Sequence, residues 1–396
     1  AQTVITATAG NFTIDNTVGV RIAQFRWVLG ASGSFTITDS QDFRIDHNTI
    51  IRDTAANHTN EAIIIYESNG GGEPYGLIDN NSFTYGRIEY FGENFSTPPN
   101  SYGGGRRWDD PLALGGSRAV YIEDNLFNND DPATSLNMAM VDGNLGCRYV
   151  GRFNTILGGR WAVHSLQADN QRGCMLWEIY NNTMINPPGN PNYRPWFIRA
   201  GTGMVFHNTT DGNFTFETID IDNVRTCDNT IPVPSLGKCD GTSFADGNQS
   251  GKAGYPCRDQ IGWTTDASGP WDYTDPAPAQ VLSPAYMWRN TNPAEIAVNL
   301  NIGGSCDNQA NLALQIVESR DYYTYRSSFN GTVGVGEGTL AARPATCTVG
   351  VGYWATDQGD WNKKRTGADG QLYKCTATNV WTLFYVPYEY PHPLQK

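Results

Sequence analysis

Two acidic residues occupy the same place in a repeated sequence pattern, and they are the first candidates for chemistry. Asp79 and Glu123 each lie two residues before an asparagine of that pattern. If the repeats stack as neighbouring strands, the two carboxyl groups lie about 5 Å apart. At that separation one carboxylate raises the pKa of the other, and a retaining glycosidase places its two carboxyl groups at a similar distance. The pair therefore predicts glycan cleavage, whereas the competing interpretation is a solvated polar face.

A second group of charged residues is centred on Arg152 and His164. Its other members are Asp142, Arg148, Arg160, Asp169, Arg172 and Glu178. Arginine side chains bind carboxylates through paired hydrogen bonds, and histidine can act as a base near neutral pH. The group predicts a polysaccharide lyase or a uronate hydrolase. No cofactor is expected for the protein as a whole, although a lyase would need acidic ligands for calcium and a strongly basic cleft. Ion pairs between neighbouring strands would explain the same residues without a substrate.

The element that must position these residues is a cassette that occurs eight times. It usually reads as an apolar residue, two variable residues, an asparagine, a threonine or serine, and a second apolar residue. From Asn125 through Asn154 and Asn182 to Asn208 the intervals are 29, 28 and 26 residues, and repeats of this length are typical of a solenoid. Because side chains alternate along a strand, the residue three before each asparagine should point inward and the residue two before it outward.

Asparagine also suits the corner of each coil, since its short amide side chain tolerates left-handed backbone and bonds locally. In stacked coils these amides lie about 4.8 Å apart and form a ladder. The predicted ladder runs through Asn48, Asn81, Asn125, Asn154, Asn182 and Asn208, and the same cassette recurs at Asn229 and Asn290.

With these cassettes the chain resembles the right-handed parallel β-helix proteins of the pectate-lyase-like superfamily. Residues 177–183 and 254–262, together with the C-terminal tail, are similar to segments of uncharacterised secreted bacterial β-helix repeat proteins. The resemblance implies the fold and a secreted bacterial origin, and it transfers no catalytic residue. A Greek-key sandwich, the alternative, would show hairpin turns every 8–12 residues.

The predicted fold class is all-β: a right-handed parallel β-helix solenoid with an Asn ladder, long loop insertions, a small disulfide-linked C-terminal hairpin and an extended tail. Residues 1–340 would form the β-helix with an insertion at about 232–286, and residues 341–396 the hairpin and a strap rich in proline and tyrosine. Strands are also predicted over residues 294–302 and 312–318. Prolines in the strap cannot donate to a strand ladder and favour an extended path over a surface.

The eight cysteines indicate disulfides rather than zinc, because they are even in number and none forms a C-x-x-C pair. Cys147 and Cys174 lie seven and eight residues before their cassette asparagines, so they should pair across consecutive coils. Cys347 and Cys375 should close the hairpin. Disulfides, and a chain that opens at Ala1 without a methionine, predict a secreted extracellular protein.

Composition limits the partners. A formal net charge of −13 repels phosphate backbones, so nucleic acid is not an expected partner. The sequence contains no apolar stretch long enough to cross a bilayer, so membrane insertion is not expected either. An extracellular glycan or a second copy of the chain fits this composition.

Two functional classes remain open. In the first, the protein is a secreted structural or adhesive β-helix that assembles head to tail. Its early strands lack a polar cap, and Tyr388 and Tyr390 would pack on a neighbouring subunit. In the second, it cleaves a polysaccharide with Asp79 and Glu123 or with the group around Arg152. The uncapped first strands and the aromatic tail favour the structural class, and fold alone does not decide between the two.

Overall fold

Three long parallel sheets make up most of the molecule. The computed structural model describes residues 2–52, 60–68, 71–92, 114–130, 138–165, 173–189, 194–223, 239, 241, 252–257, 259–265, 280–300 and 312–396. From Thr3 to Trp288 the chain visits the three sheets in turn, so each coil adds one strand to each sheet, and the last coil adds strands to the second and third sheets. Neighbouring strands are parallel throughout all three sheets. This arrangement is an all-β, β-helix-like solenoid, as the repeats predicted.

The strand bounds follow the repeats. The first sheet contains Thr3–Ala7, Phe25–Leu29, Thr49–Arg52, Ser82–Thr84, Leu126–Asn128, Thr155–Leu157, Thr183–Ile185 and Thr209–Thr210. The second contains Asn11–Asp15, Ser34–Thr38, Glu61–Tyr66, Arg87–Phe91, Ala139–Asn144, Arg160–Val163, Trp196–Ile198, Thr218–Ile221 and Ala297–Leu300. The third contains Arg21–Ala23, Gln41–Asp46, Tyr75–Asp79, Val120–Glu123, Arg148–Arg152, Leu176–Tyr180, Thr202–Phe206, Ala285–Trp288 and Tyr322–Thr324.

The inward positions of the cassette build the core inside the coils. The residues three before the asparagines are fully buried at Ile45, Ile78, Ile122, Ile179 and Val205. Gly151 takes this place in one coil because the ring of Trp161 fills the space, and a Cβ there would lie 2.2 Å from Trp161 Cη2. The prediction of inward residues is therefore confirmed.

The left-handed residue at each corner is the one before the cassette asparagine, not the asparagine itself. These residues have φ between 52° and 57°: His47, Asn80, Asp124, Phe153, Asn181, His207 and Arg289. The asparagine amide bonds back across this residue, as when Asn48 Nδ2 donates to the carbonyl of Asp46 at 3.0 Å. That bond spans the left-handed residue, so the predicted position of the turn was wrong by one residue.

The cassette asparagines bond one another from coil to coil. Each Nδ2 donates to the Oδ1 of the next residue in the series Asn48, Asn81, Asn125, Asn154, Asn182, Asn208 and Asn290, at 2.8–3.1 Å. Each backbone N–H donates to the same oxygen, at 2.9–3.3 Å. Asn290 follows Asn208 directly in this series, and Asn229 lies outside the described residues.

The end of the stack differs from the prediction over residues 312–318. Ala297–Leu300 is a strand, as expected, but Leu312–Gln315 is a helical turn. Gln315 bonds the insertion instead of a coil edge, since its Nε2 donates to the carbonyl of Cys239 at 2.7 Å and its own carbonyl accepts from Gln260 at 2.9 Å. Within the insertion, Trp263–Thr265 pairs antiparallel with Gln280–Leu282.

The C-terminal part forms a small sheet that packs on the outer face of the third sheet. It contains Val335–Gly338, Gly352–Ala355, Gln371–Ala377 and Val380–Tyr385, and the last two strands form a hairpin. Cys347 lies before the second of these strands, so the Cys347–Cys375 disulfide ties that segment to the hairpin and does not join the hairpin's two strands. A second hydrophobic core fills the interface, with Tyr180, Phe206 and Trp288 from the coils against Trp354 and Tyr385 of the tail. Residues 386–396 continue as the strap and end in a 3-10 turn, Pro393–Gln395.

Three disulfides lie within the described residues. Cys147 bonds Cys174 and Cys347 bonds Cys375, the two pairs expected from the sequence, and Cys239 bonds Cys257. Cys227 and Cys306 lie outside the described residues. None of the helices in the described parts of the chain is long and apolar enough to cross a membrane.

Candidate functional site

The acidic column of the third sheet is covered by the strap. Asp79 and Glu123 are neighbours in register, as predicted, but both are 0 % exposed. As predicted, their side chains point away from the core inside the coils. The strap and the tail sheet then cover this face, so the expectation of an outward, solvent-facing column was wrong. Further along the same column the outward residues are aromatic, and the tail packs on this face because that contact buries their apolar surface.

Both carboxylates of this column have bonding partners that fix them. The Asp79 oxygens accept from Arg44 Nε and Nη2, each at 2.9 Å, and Arg44 Nη1 donates to the carbonyl of Leu394 at 2.9 Å. Glu123 Oε1 accepts from the backbone N–H of His392 at 2.9 Å and from Gln395 Nε2 at 2.6 Å. These bonds anchor the strap, so this geometry favours a structural function for Asp79 and Glu123.

Arg152 is the centre of the same anchor. Its Nε donates to Glu123 Oε2 at 2.6 Å, and its two terminal nitrogens donate to the carbonyls of Tyr388 and Glu389 at 2.6 and 2.8 Å. The guanidinium also lies 4.9 Å from the ring centroid of Tyr121. Because the side chain is fully buried, Arg152 contacts the protein's own tail instead of a substrate.

The tyrosines predicted to join neighbouring subunits lie on the protein's own coils. The ring of Tyr390 stacks on Phe153 with centroids 3.8 Å apart, and its hydroxyl donates to Asp124 Oδ1 at 2.6 Å. Tyr388 lies 5.3 Å from the Tyr121 ring. The prediction that Tyr388 and Tyr390 pack on a neighbouring subunit was therefore wrong. Both rings lie on aromatic side chains of the same chain, because the strap covers the outer face of its own coils.

The structure separates the predicted arginine and histidine group. Glu178 faces the tail, where Tyr385 donates to Oε2 at 2.5 Å, and Arg152 lies on the same face. Asp142, Arg160 and His164 lie instead on the second sheet. Two other members of the group, at positions 169 and 172, lie outside the described residues.

The outer face of the second sheet brings together a different pair of carboxyl groups. Glu89 and Asp142 are in register on adjacent parallel strands. Arg87 contacts both, with Nη2 at 3.1 Å from Glu89 Oε2 and Nη1 at 3.9 Å from Asp142 Oδ2. His164 Nε2 lies 2.8 Å from Asp142 Oδ2, and Asn144 Nδ2 donates to Glu89 Oε1 at 2.7 Å. The carboxyl side chains are 7 % and 5 % exposed, whereas Arg87 is 26 % exposed, so this cluster reaches the surface.

The environment gives the two carboxyl groups opposite protonation states. Burial, and then the charge of Asp142, raise the pKa of Glu89 to about 8. Burial alone would also raise the pKa of Asp142, but His164, Arg199 and Arg87 together lower it to about 2. At neutral pH Glu89 is therefore an acid with a proton to give, and Asp142 is an ionised carboxylate.

Three arginines surround one phenyl ring beside this pair. The guanidinium carbons of Arg160, Arg194 and Arg199 lie 4.9, 4.7 and 4.6 Å from the centroid of Phe197. Burial, and then the neighbouring charge of Arg199, lower the pKa of Arg160 to about 9. Arg194 is balanced by Asp220, with Nη1 and Oδ2 2.6 Å apart. Arg160, Arg194 and Arg199 together form an arginine wall next to the carboxyl pair. Its planar guanidinium groups can donate hydrogen bonds to a polar ligand.

Glu89 was missed from the sequence because it lies outside the asparagine cassette. The usable signal was the alternation within Arg87–Phe91, which places Arg87 and Glu89 on the face opposite the core residues Ile88 and Tyr90. As for calcium, no group of three or more metal-ligating side chains occurs within the described residues. No protein-family model, curated protein or solved structure matches this chain.

Proposed function

We propose that the protein is a glycoside hydrolase of extracellular glycans whose catalytic pair is Glu89 and Asp142. The observation that supports this is two adjacent carboxyl groups in opposite protonation states beside a partly exposed arginine wall. Protonated Glu89 would donate its proton to the leaving glycosidic oxygen while the Asp142 carboxylate attacks the anomeric carbon and the glycosidic bond breaks. Water would then lose a proton to Glu89 and displace the sugar from Asp142, which restores both groups. His164 would hold Asp142 in its ionised form.

A hydrolase fits this pair better than a lyase. A lyase needs a base that removes a carbon-bound proton, and a carboxylate with a pKa of about 2 is a weak base for that step. A hydrolase needs an acid with a raised pKa, which Glu89 provides.

The test is cleavage of a panel of plant, bacterial and algal polysaccharides by the purified protein and by matched variants. Glu89→Gln and Asp142→Asn should each lower kcat on any cleaved glycan by about 10²-fold or more, because each removes one member of the acid and carboxylate pair. Asp15→Asn is the control, since Asp15 is an exposed carboxylate on the first strand of the same sheet. Cleavage by either catalytic variant at the wild-type rate would contradict the proposal.

Head-to-tail association is a second candidate, supported by the first coil. Among the described residues, Thr3–Ala7 pairs only with Phe25–Leu29, and Val4, Phe12 and Val18 are 54, 39 and 71 % exposed. An open strand edge with apolar side chains is a template for pairing with another chain. Light scattering of the wild type and of Val18→Asp at high concentration tests this. Association should weaken in the variant, and a wild type that stays monomeric would exclude it.

Two finer features complete the proposal. The solenoid would be right-handed, because crossovers between parallel strands are nearly always right-handed. Its asparagine cassettes would place it in the pectate-lyase-like superfamily. The three disulfides support secretion, since such bonds persist in oxidising surroundings.

A further inference from the structure

The strap carries a buried histidine at its contact with the third sheet, on a different face from the carboxyl pair. His392 is 5 % exposed, and its backbone N–H donates to Glu123 Oε1 at 2.9 Å. Its ring centroid lies 4.7 Å from that of Tyr121 in the coils and 5.3 Å from that of Tyr388 in the strap. Burial raises the pKa of both phenols, so both stay neutral in acid. His392 is therefore packed inside the contact that holds the strap on the coils.

The hydrogen bonds of the His392 ring fit only the neutral imidazole. Nδ1 accepts the backbone N–H of Leu394 at 3.2 Å and so caps the 3-10 turn Pro393–Gln395. A ring nitrogen that accepts carries no proton, so the single ring proton is on Nε2. Nε2 is buried without a hydrogen-bond partner among the described residues. A second proton on Nδ1 would turn the acceptor of Leu394 into a donor, and the cap would be lost.

Two arginines of the coils hold the strap on both sides of His392 in the sequence. Arg44 Nη1 donates to the carbonyl of Leu394 at 2.9 Å, and Arg152 Nη1 donates to the carbonyl of Tyr388 at 2.6 Å. A protonated ring would add a third positive charge between these contacts. Like charges in a buried contact repel one another, so the docked strap disfavours the imidazolium ion.

The carboxylates beneath the strap do not supply a counter-charge that is free for the ring. Glu123 accepts from Arg152 and Asp79 from Arg44. Burial, and then the charges of Arg152 and Arg44, lower the pKa of His392 to about 3. Burial also raises the pKa of Glu123, so proton uptake by Glu123 favours the docked strap and opposes any release by acid.

We propose that His392 is a pH switch that releases the strap from the coils when its ring is protonated. In the docked strap the ring stays neutral, whereas in a released strap it takes up a proton near the ordinary histidine pKa of about 6.5. The neutral ring therefore stabilises docking fully above about pH 6.5, and this stabilisation is lost as the pH falls. The equilibrium constant for release should rise about tenfold for each pH unit between about 6 and 4.

The test is hydrogen exchange at the backbone amide of Tyr390, which donates to the carbonyl of Trp361 at 2.7 Å in the docked strap. Protection factors, corrected for the intrinsic pH dependence of exchange, are compared at pH 7.5 and 5. In the wild type the protection of Tyr390 should fall at least tenfold at pH 5. Protection of Ile179, a buried residue of the third sheet, should stay within about twofold, because the coils remain folded.

The matched variant is His392→Asn. An asparagine oxygen can cap the turn as Nδ1 does, but it does not titrate in this range. Protection of Tyr390 in this variant should therefore not fall between pH 7.5 and 5. Three results would overturn the proposal: wild-type protection that is unchanged at pH 5, a variant that loses as much protection as the wild type, or an equal loss at Ile179.

A second measurement keeps the test decisive if His392→Asn does not fold. In wild-type protein labelled with ¹⁵N at its histidines, the His392 ring should have a bare Nδ1 and a protonated Nε2 as long as Tyr390 is protected. The imidazolium form should appear only together with the loss of that protection. A ring that titrates near pH 6.5 while Tyr390 stays protected would show that the docked strap tolerates the charge, and the switch would be excluded.

Discussion

At the scale of single residues, the decisive contrast is between two pairs of carboxyl groups on different faces of the solenoid. Glu123 accepts from the strap and Asp79 from Arg44, which itself bonds the strap, whereas Glu89 and Asp142 share Arg87 at a surface that is partly open. Acid catalysis needs a carboxyl group that can exchange a proton with a ligand. Glu89 and Asp142 meet that condition, and Asp79 and Glu123 do not.

The protonation of Glu89 predicts the pH dependence of activity. Catalysis requires the protonated acid, so kcat/KM should fall as pH rises through about 8, the pKa of this group. His164→Ala should leave that alkaline limb in place and shift the acidic limb upward, because Asp142 loses the neighbour that most lowers its pKa. Rate profiles of the two proteins between pH 4 and 10 would check this, and an activity that still rises above pH 9 would contradict it.

At the scale of elements, the asparagine series ties each coil to the next. Asn154 Oδ1 accepts both the backbone N–H and Nδ2 of Asn125, at 3.0 and 3.1 Å. Asn154→Ala leaves these buried donors without an acceptor, so it should lower the free energy of unfolding by about 2–4 kcal/mol. Asn213→Ala is the control, since Asn213 is exposed and should change stability by less than about 0.5 kcal/mol. Equal denaturant midpoints for the two variants would refute the expectation.

The strap is the second element with a measurable contribution. Tyr390 is 4 % exposed and stacks on Phe153, so Tyr390→Ala should lower the free energy of unfolding by about 3–5 kcal/mol. Tyr390→Phe keeps the ring and loses the bond to Asp124 and the bond from Lys364 Nζ, which together should cost about 1–2 kcal/mol. Thermal and denaturant unfolding of both variants would measure this difference. A Tyr390→Ala protein as stable as the wild type would show that the strap is dispensable.

The sequence predicted what depends on local repetition. Ile78 and Ile122 are buried and Cys147 meets Cys174 because one coil repeats the geometry of the last. It could not predict that residue 392 bonds residue 123, since no repeat connects the tail to the coils. The large apolar residues at outward positions, Tyr180 and Phe206, were the available sign that this face needs a cover.

At the scale of the whole molecule, the tail, the asparagine series and the charged cluster occupy different parts of the solenoid surface. The third sheet carries the tail, the corner beside it carries the asparagine series, and the second sheet carries the charged cluster. The site could not be derived from spacing because Glu89 and Asp142 lie 53 positions apart (89 to 142), across residues 93–113 and 131–137 that lie outside the description. Their register emerges only when the coils are stacked.

The proposed mechanism requires Glu89 to be protonated and Asp142 to be ionised at neutral pH, and carboxyl-carbon NMR measures both protonation states without a substrate. In protein labelled at its Asp and Glu side chains, one Glu resonance should titrate near pH 8 and disappear in Glu89→Gln. The resonance lost in Asp142→Asn should stay ionised down to about pH 2 or until the protein unfolds. If the Glu89 resonance instead titrates below pH 5, near the ordinary pKa of an exposed glutamate, Glu89 cannot supply the acid and the pair is not catalytic.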